Sequence, residues 1–152
     1  MNIDEFIHEL EFYAQKHDML FAPKKIHPDQ ISSVEAAVDA KFGPELRDYL
    51  TELGIISYDA FETFGINAAN PIHKSDLVEY TNMLHEYFPA TLGLTAICSE
   101  FEYYYFLADH QDQIYKLSPD EDVLEPTGLK LFDFLLIMLH KALALVDSLE
   151  IE

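Results

Sequence analysis

Residues 27–54 constrain this chain more than any other stretch, because their apolar side chains fit two helices that meet at a corner. Pro28 suits a first helical position, where its missing N–H costs nothing, and Ile31, Val34, Val38 and Phe42 then recur at spacings of three, four and four. These four side chains share one face. Gly43-Pro44 interrupts the pattern, since glycine opens positive φ and proline disfavours helical geometry in the residue before it. Leu46, Tyr49, Leu50 and Leu53 restart the period, and Gly54 closes the second helix as a left-handed cap.

The rest of the chain can be read outward from that corner. Ile3, Phe6, Ile7, Leu10, Tyr13 and Ala14 predict an opening helix from after Asn2 to about His17, with Asp4 and Glu5 well placed in its first turn and Phe21-Ala22-Pro23 ending it in a loop. After Gly54, residues 55–58 and 61–66 read as short strands, and a hairpin or a bulge near Asp59-Ala60 accounts for a slip in their alternation. Asn67-Ala68-Ala69-Asn70-Pro71 is turn chemistry, and Asp76 and Glu79 have capping-box spacing at the start of a helix whose apolar face is Leu77, Tyr80, Leu84 and Tyr87. Pro89 ends that helix. Residues 94–98, 103–108 and 113–117 predict a central antiparallel sheet, the last two strands joined by Asp109-His110-Gln111-Asp112, with a candidate edge strand at 123–125. The last helix begins after Thr127-Gly128 and runs to about Leu149. Its apolar residues cover more than one face, which points to burial, or to burial together with a partner contact. Helices, then strands, then a helix make an α+β fold with N-terminal helices, a mostly antiparallel central sheet and a C-terminal helix.

At 152 residues the chain suits one domain with a single core, and 49% hydrophobic content with 11 Phe and 9 Tyr rules out a disordered acidic tail. Its charge therefore sits on a folded body. Against 28 acidic residues stand 9 basic ones, a formal net charge of −19, which repels a phosphate backbone and excludes nucleic acid as a partner while favouring a cationic one. A lone cysteine, Cys98, permits neither an intrachain disulfide nor a cysteine metal site and suits a reducing cytoplasm. The opening MNIDEFIHELEF carries acids where an export signal needs basic residues, and the longest apolar run, residues 134–139, is far short of the ~20 residues a membrane span requires. A soluble, cytoplasmic protein is expected.

Catalytic motifs are missing: the chain has no G-x-S-x-G, no Walker loop, no H-E-x-x-H and no Cys/His pair at ligand spacing. Glu5-x-x-His8 has the spacing of a di-iron half-site but no second copy, and Asp109 to Asp112 lack the alternating acids and central glycine of a calcium loop. No metal or other cofactor is expected. Glu100 and Glu102 flank Phe101, and in an extended segment their carboxylates share one side, as an acid/base pair or simply as a charged rim. In the run Phe101-Glu102-Tyr103-Tyr104-Tyr105-Phe106, alternation sets Tyr103 and Tyr105 against Tyr104 and Phe106. One face is core, and the other is either covered by a helix or left as an anchoring patch. His140, among apolar residues of the last helix, reads as a core histidine.

Ile31, Val34, Glu35, Val38 and Phe42, the Gly/Pro corner, and Leu46, Tyr49, Leu50, Leu53 and Gly54 resemble the opening of the SUKH superfamily, which contains immunity proteins and fungal cell-wall-synthesis regulators. Residues 61–66 resemble that family's next strand, and Leu131-Phe132-Asp133-Phe134-Leu135 its closing helix start, so the likeness spans residues 26–143 after a preceding helix and loop at 1–25. It implies a bacterial immunity protein that does no chemistry and neutralises a toxin domain by stoichiometric binding. Such toxins are frequently nucleases with basic clefts, which an acidic binder can occupy or flank. Charge and predicted exposure then select Asp59, Glu62, Glu100, Glu102, Asp109 and Asp112 as partner-binding residues, with Tyr103 or Tyr105 as an anchor. A regulatory interaction module without a toxin partner is the alternative, and a small enzyme using paired carboxylates a third class.

Overall fold

The computed structural model describes residues 1–15, 26–58, 61–100 and 103–150, without the side chains of residues 58 and 145–150. The predicted loop at Phe21-Ala22-Pro23 lies outside the described residues. Helix α1 (Ile3–Ala14) starts at Asn2, whose Oδ1 accepts from the Glu5 N–H at 2.9 Å, and it buries Phe6 and Leu10. Helix α2 (Pro28–Val38) opens with a reciprocal cap: the Asp29 N–H donates to His27 Nδ1, and the His27 N–H donates to the Gln30 side chain, both at 3.2 Å. Helix α3 (Pro44–Glu52) ends as expected, with Gly54 at φ +82°.

The corner between α2 and α3 differs from its predicted form. α2 stops at Val38 because Asp39 takes the left-handed conformation (φ +50°), so Phe42 lies beyond the helix yet stays buried. Gly43 has φ −74°, so positive φ is not what requires glycine here. A Cβ at this position would lie 2.3 Å from Asp112 Oδ1, and the requirement is space.

Strands β1 (Ser57–Tyr58) and β2 (Phe61–Glu62) pair as an antiparallel hairpin, which accounts for the slip in alternation. After helix α4 (Asp76–Tyr87) and a 3-10 turn at Pro89–Thr91 comes a four-stranded antiparallel sheet. Its strands are β3 (Thr95–Glu100), β4 (Tyr104–Ala108), β5 (Gln113–Ser118) and β6 (Val123–Lys130), hydrogen-bonded in the order β3-β4-β5-β6. The chain after β2 runs beside β3, through a Thr63–Cys98 bridge and a 2.8 Å bond from the Phe64 N–H to the Ile97 carbonyl. β6 takes in Thr127 and Gly128, which the sequence assigns to the approach of the last helix. The register shift against β5 and Gly128 at φ +79° make a bulge that a pattern of alternation does not reveal. Helix α5 therefore begins at Leu131 and runs to Glu150.

Two helix details also depart from expectation. At α4 no capping box forms, because the Ser75 hydroxyl accepts from the Asn67 N–H at 2.7 Å and makes no bond to the helix start. The buried face of α4 is Leu77, Val78, Thr81 and Leu84, a rotation that leaves Tyr87 exposed. On α5, His140 is exposed, not core: it faces outward and hydrogen-bonds Tyr13 of α1, ring against ring.

Aromatic side chains join the layers. Phe6 of α1 stacks on Phe132 of α5 at 4.8 Å and meets Tyr49 of α3 edge-on at 6.5 Å. Along β4 successive side chains diverge: Phe106 packs on Phe134 of α5 at 4.8 Å, and Tyr105 turns toward Tyr80 of α4 at 6.1 Å. Both faces of β4 are thus covered by helices. Of the two readings of the aromatic run, helix cover is the one found at Tyr105.

Candidate partner-binding site

The register of the sheet divides the predicted site residues into two groups. β4 joins β5 at Asp109 to Asp112, while the β3–β4 turn lies at the other end of β4, where Glu100 pairs with Tyr104. Five residues at ~3.4 Å each separate the two groups by roughly 17 Å along the strand.

At the Asp109 end the carboxylates are occupied. Asp112, fully buried, accepts from the Glu45 N–H at 2.9 Å and the Leu46 N–H at 3.0 Å, so a loop residue 66 positions away caps the start of α3. Its predicted exposure is overturned: the free N–H groups of the α3 terminus draw it inward, and φ +63° at Asp112 and the missing Cβ of Gly43 make room. Burial lifts its carboxyl above the usual range, while the two N–H bonds and Lys130 pull the other way. Asp109, half-buried, accepts from the Gln111 N–H at 2.8 Å, the Gln113 N–H at 3.0 Å and the Tyr115 hydroxyl at 3.2 Å. Burial and this bond to Asp109 raise the Tyr115 phenol.

The same device recurs nearby. Glu45, at the head of α3, accepts from the Phe132 N–H at 3.0 Å at the head of α5 and pairs with Lys130 at 3.5 Å. Glu35 of α2 accepts from the Phe42 N–H at 2.8 Å and pairs with Arg47. These acids hold the α2–α3 corner, the β4–β5 hairpin and α5 together.

At the other end of the sheet Glu100 is half-buried, and the carboxylates of Glu62, Asp120, Glu121 and Asp122 are exposed. β3 stops at Glu100, and the Tyr103 N–H donates to the Glu100 carbonyl at 3.0 Å, so Tyr103 sits in the turn and not in the strand, 70% exposed. β5 runs antiparallel to β4 and ends at Ser118, which pairs with Val123, so the β5–β6 turn also lies at this end. Its Asp120, Glu121 and Asp122 are all exposed. The Thr63–Cys98 bridge puts Glu62, exposed on β2, at the same end, opposite the Ser99 region of β3. Asp59 and Glu102 lie outside the described residues. Glu62, Glu100, Asp120, Glu121 and Asp122 make no side-chain hydrogen bond or ion pair with the described residues.

The structure thus brings together Glu62, Glu100 and Tyr103, separates Asp109 and Asp112 from them, and packs Tyr105 against α4. Sequence reasoning missed Asp120, Glu121 and Asp122. The signal was there, since an acidic triplet between two strand patterns marks a hairpin turn, but only the strand order shows which end it joins. Beside it Lys116 of β5 places its Nζ 3.8 Å from the centroid of the Tyr104 ring.

Among the described residues no group of three or more His, Cys, Asp or Glu is set to hold a metal ion, and the Cys98 thiol is buried, with burial raising it far above the ordinary range. A concavity of about 390 Å³ at the start of α4, lined among others by Ile55, Ile66, Asn67 and Lys74, contains no histidine or cysteine. Among the described residues no helix is long and apolar enough to cross a membrane.

No curated protein matches the chain. A SUKH family model described as SMI1-KNR4 cell-wall matches residues 3–134, from the first residue of α1 into α5. The four-stranded antiparallel sheet, the helices before it and the closing helix agree with that match, and the chain belongs to the SUKH superfamily, which includes immunity proteins and regulators.

Proposed function

We propose that this chain is an immunity protein: it acts in the cytoplasm, binds a basic toxin domain one to one and does no chemistry of its own. The observation that carries this reading is a superfamily fold with net charge −19, one end of whose sheet displays carboxylates with no partner among the described residues. A nuclease cleft is basic because it must hold phosphate, so an acidic surface is attracted to the same groups and gains association rate from steering. Glu62, Glu100 and Tyr103 are the contact residues of this reading, together with Asp59 and Glu102, which lie outside the described residues. Asp109 contributes its field only, and Asp112 contributes through the fold.

The test is co-expression with the C-terminal domain encoded by the gene immediately upstream, scoring survival and co-purification together. Rescue with a stable one-to-one complex is expected. A toxic neighbour without rescue, or no toxic neighbour, moves the assignment to a regulatory interaction module. The cell-wall description of the matching family model favours that second reading.

A further inference from the structure

We infer that Tyr103 is an aromatic anchor for an arginine or lysine side chain on a protein partner, with Glu100 and the β5–β6 turn as its anionic rim. The identification of that partner as a toxin rests on the reading above; the contact itself does not.

Tyr103, the turn residue directly before β4, exposes 70% of its surface, and its ring has no partner among the described residues. An exposed tyrosine of this kind is a large, rigid surface that costs little entropy to immobilise, which is why tyrosine recurs at binding hot spots. The next residue shows what this neighbourhood prefers over an aromatic face: Tyr104 already carries the Lys116 ammonium at 3.8 Å. Within one turn, one tyrosine holds an internal cation and the other is open. The charges around it select the occupant. Asp120, Glu121 and Asp122 project from the neighbouring turn, and Glu100 precedes the anchor by three residues. A cation over the Tyr103 ring would gain from the ring quadrupole and from these carboxylates together, whereas an acidic or purely apolar partner would be repelled or gain nothing from the rim.

The probe is a hexa-arginine peptide titrated at low ionic strength into the ¹⁵N-labelled chain, followed by amide shifts. The largest shifts are expected at residues 103–104 and 118–123. Tyr103→Ala should weaken the peptide about two- to five-fold, the worth of one exposed cation–π contact, and Tyr103→Phe should restore it. A Glu5→Lys/Glu9→Lys variant, which changes the charge of α1, should leave the shifted residues unchanged. Shifts spread evenly over the acidic surface, shifts centred on α1, equal affinity for Tyr103→Ala and the parent, or no binding would each overturn the inference. Because no toxin is used, a chain that captures the peptide at Tyr103 but fails to rescue cells sinks only the immunity reading. Rescue that is indifferent to Tyr103 sinks only the anchor.

Discussion

Where β4 turns into β5, Asp109 and Asp112 accept five hydrogen bonds between them, from the loop, from Tyr115 and from the first turn of α3. Where β3 turns into β4 and β5 into β6, the carboxylates of Glu100, Asp120, Glu121 and Asp122 accept none from described side chains or backbone. The residue types are the same, and what separates them is a helix terminus. The orphan N–H groups of α3 lie against the first hairpin and consume its charge, whereas among the described residues no helix start donates to the carboxylates at the other end.

If this contrast holds, the two ends respond to mutation in opposite ways. Asp112→Ala removes both caps and leaves two N–H groups unpaired, one of them buried, and should lower unfolding free energy by about 2 kcal/mol in a urea titration. Gly43→Ala should cost a similar amount by pressing a methyl group against that carboxylate. In an Asp112→Ala background the same change should cost much less, so a double-mutant cycle reports their contact directly. Additive losses would mean that the two positions act separately. Glu45→Ala, which uncaps α5 and releases Lys130, should cost about 1 kcal/mol.

Charge reversals at the other end should barely register in the same measurement. Asp120→Lys with Glu121→Lys should stay within about 0.5 kcal/mol of the parent, as exposed substitutions do, and a larger loss would show that these carboxylates serve the fold. The smallest effect is a pH dependence. Burial raises the Asp112 carboxyl above its unfolded value, so the folded chain binds this proton more readily, and the residue's contribution to stability grows on acidification and is lost as pH rises through the raised value. Asp112→Asn cannot titrate, so its stability relative to the parent should improve from acidic pH toward neutrality. The opposite trend would mean that the two N–H bonds outweigh burial.

Much of the architecture could be read from periodicity. Ile31, Val34, Val38, Leu46, Tyr49 and Leu50 were legible because a buried helical face must repeat every three or four residues, and all are buried. What escaped was set by distant contacts. The need for glycine at 43 comes from a carboxylate 69 residues later, and the length of β6 from a bulge opposite β5. The candidate site was half legible for the same reason. Acidic composition and turn chemistry located Glu62, Glu100 and Tyr103, but Asp112 looks like any other loop acid until α3 is docked against it. Conversely, the triplet at Asp120 joins the site only through strand order.

The most direct test of this account is the association rate of the chain with the upstream-encoded domain at low and physiological salt. It compares Asp120→Lys/Glu121→Lys with Glu5→Lys/Glu9→Lys, two variants of equal net charge. Steering through the exposed sheet end predicts a rate at least ten-fold slower for the first than for the second at low salt, converging as salt screens charges beyond ~8 Å. Equal rates for the two variants would contradict it, because the acidic charge would then act as a whole and not through this end of the sheet.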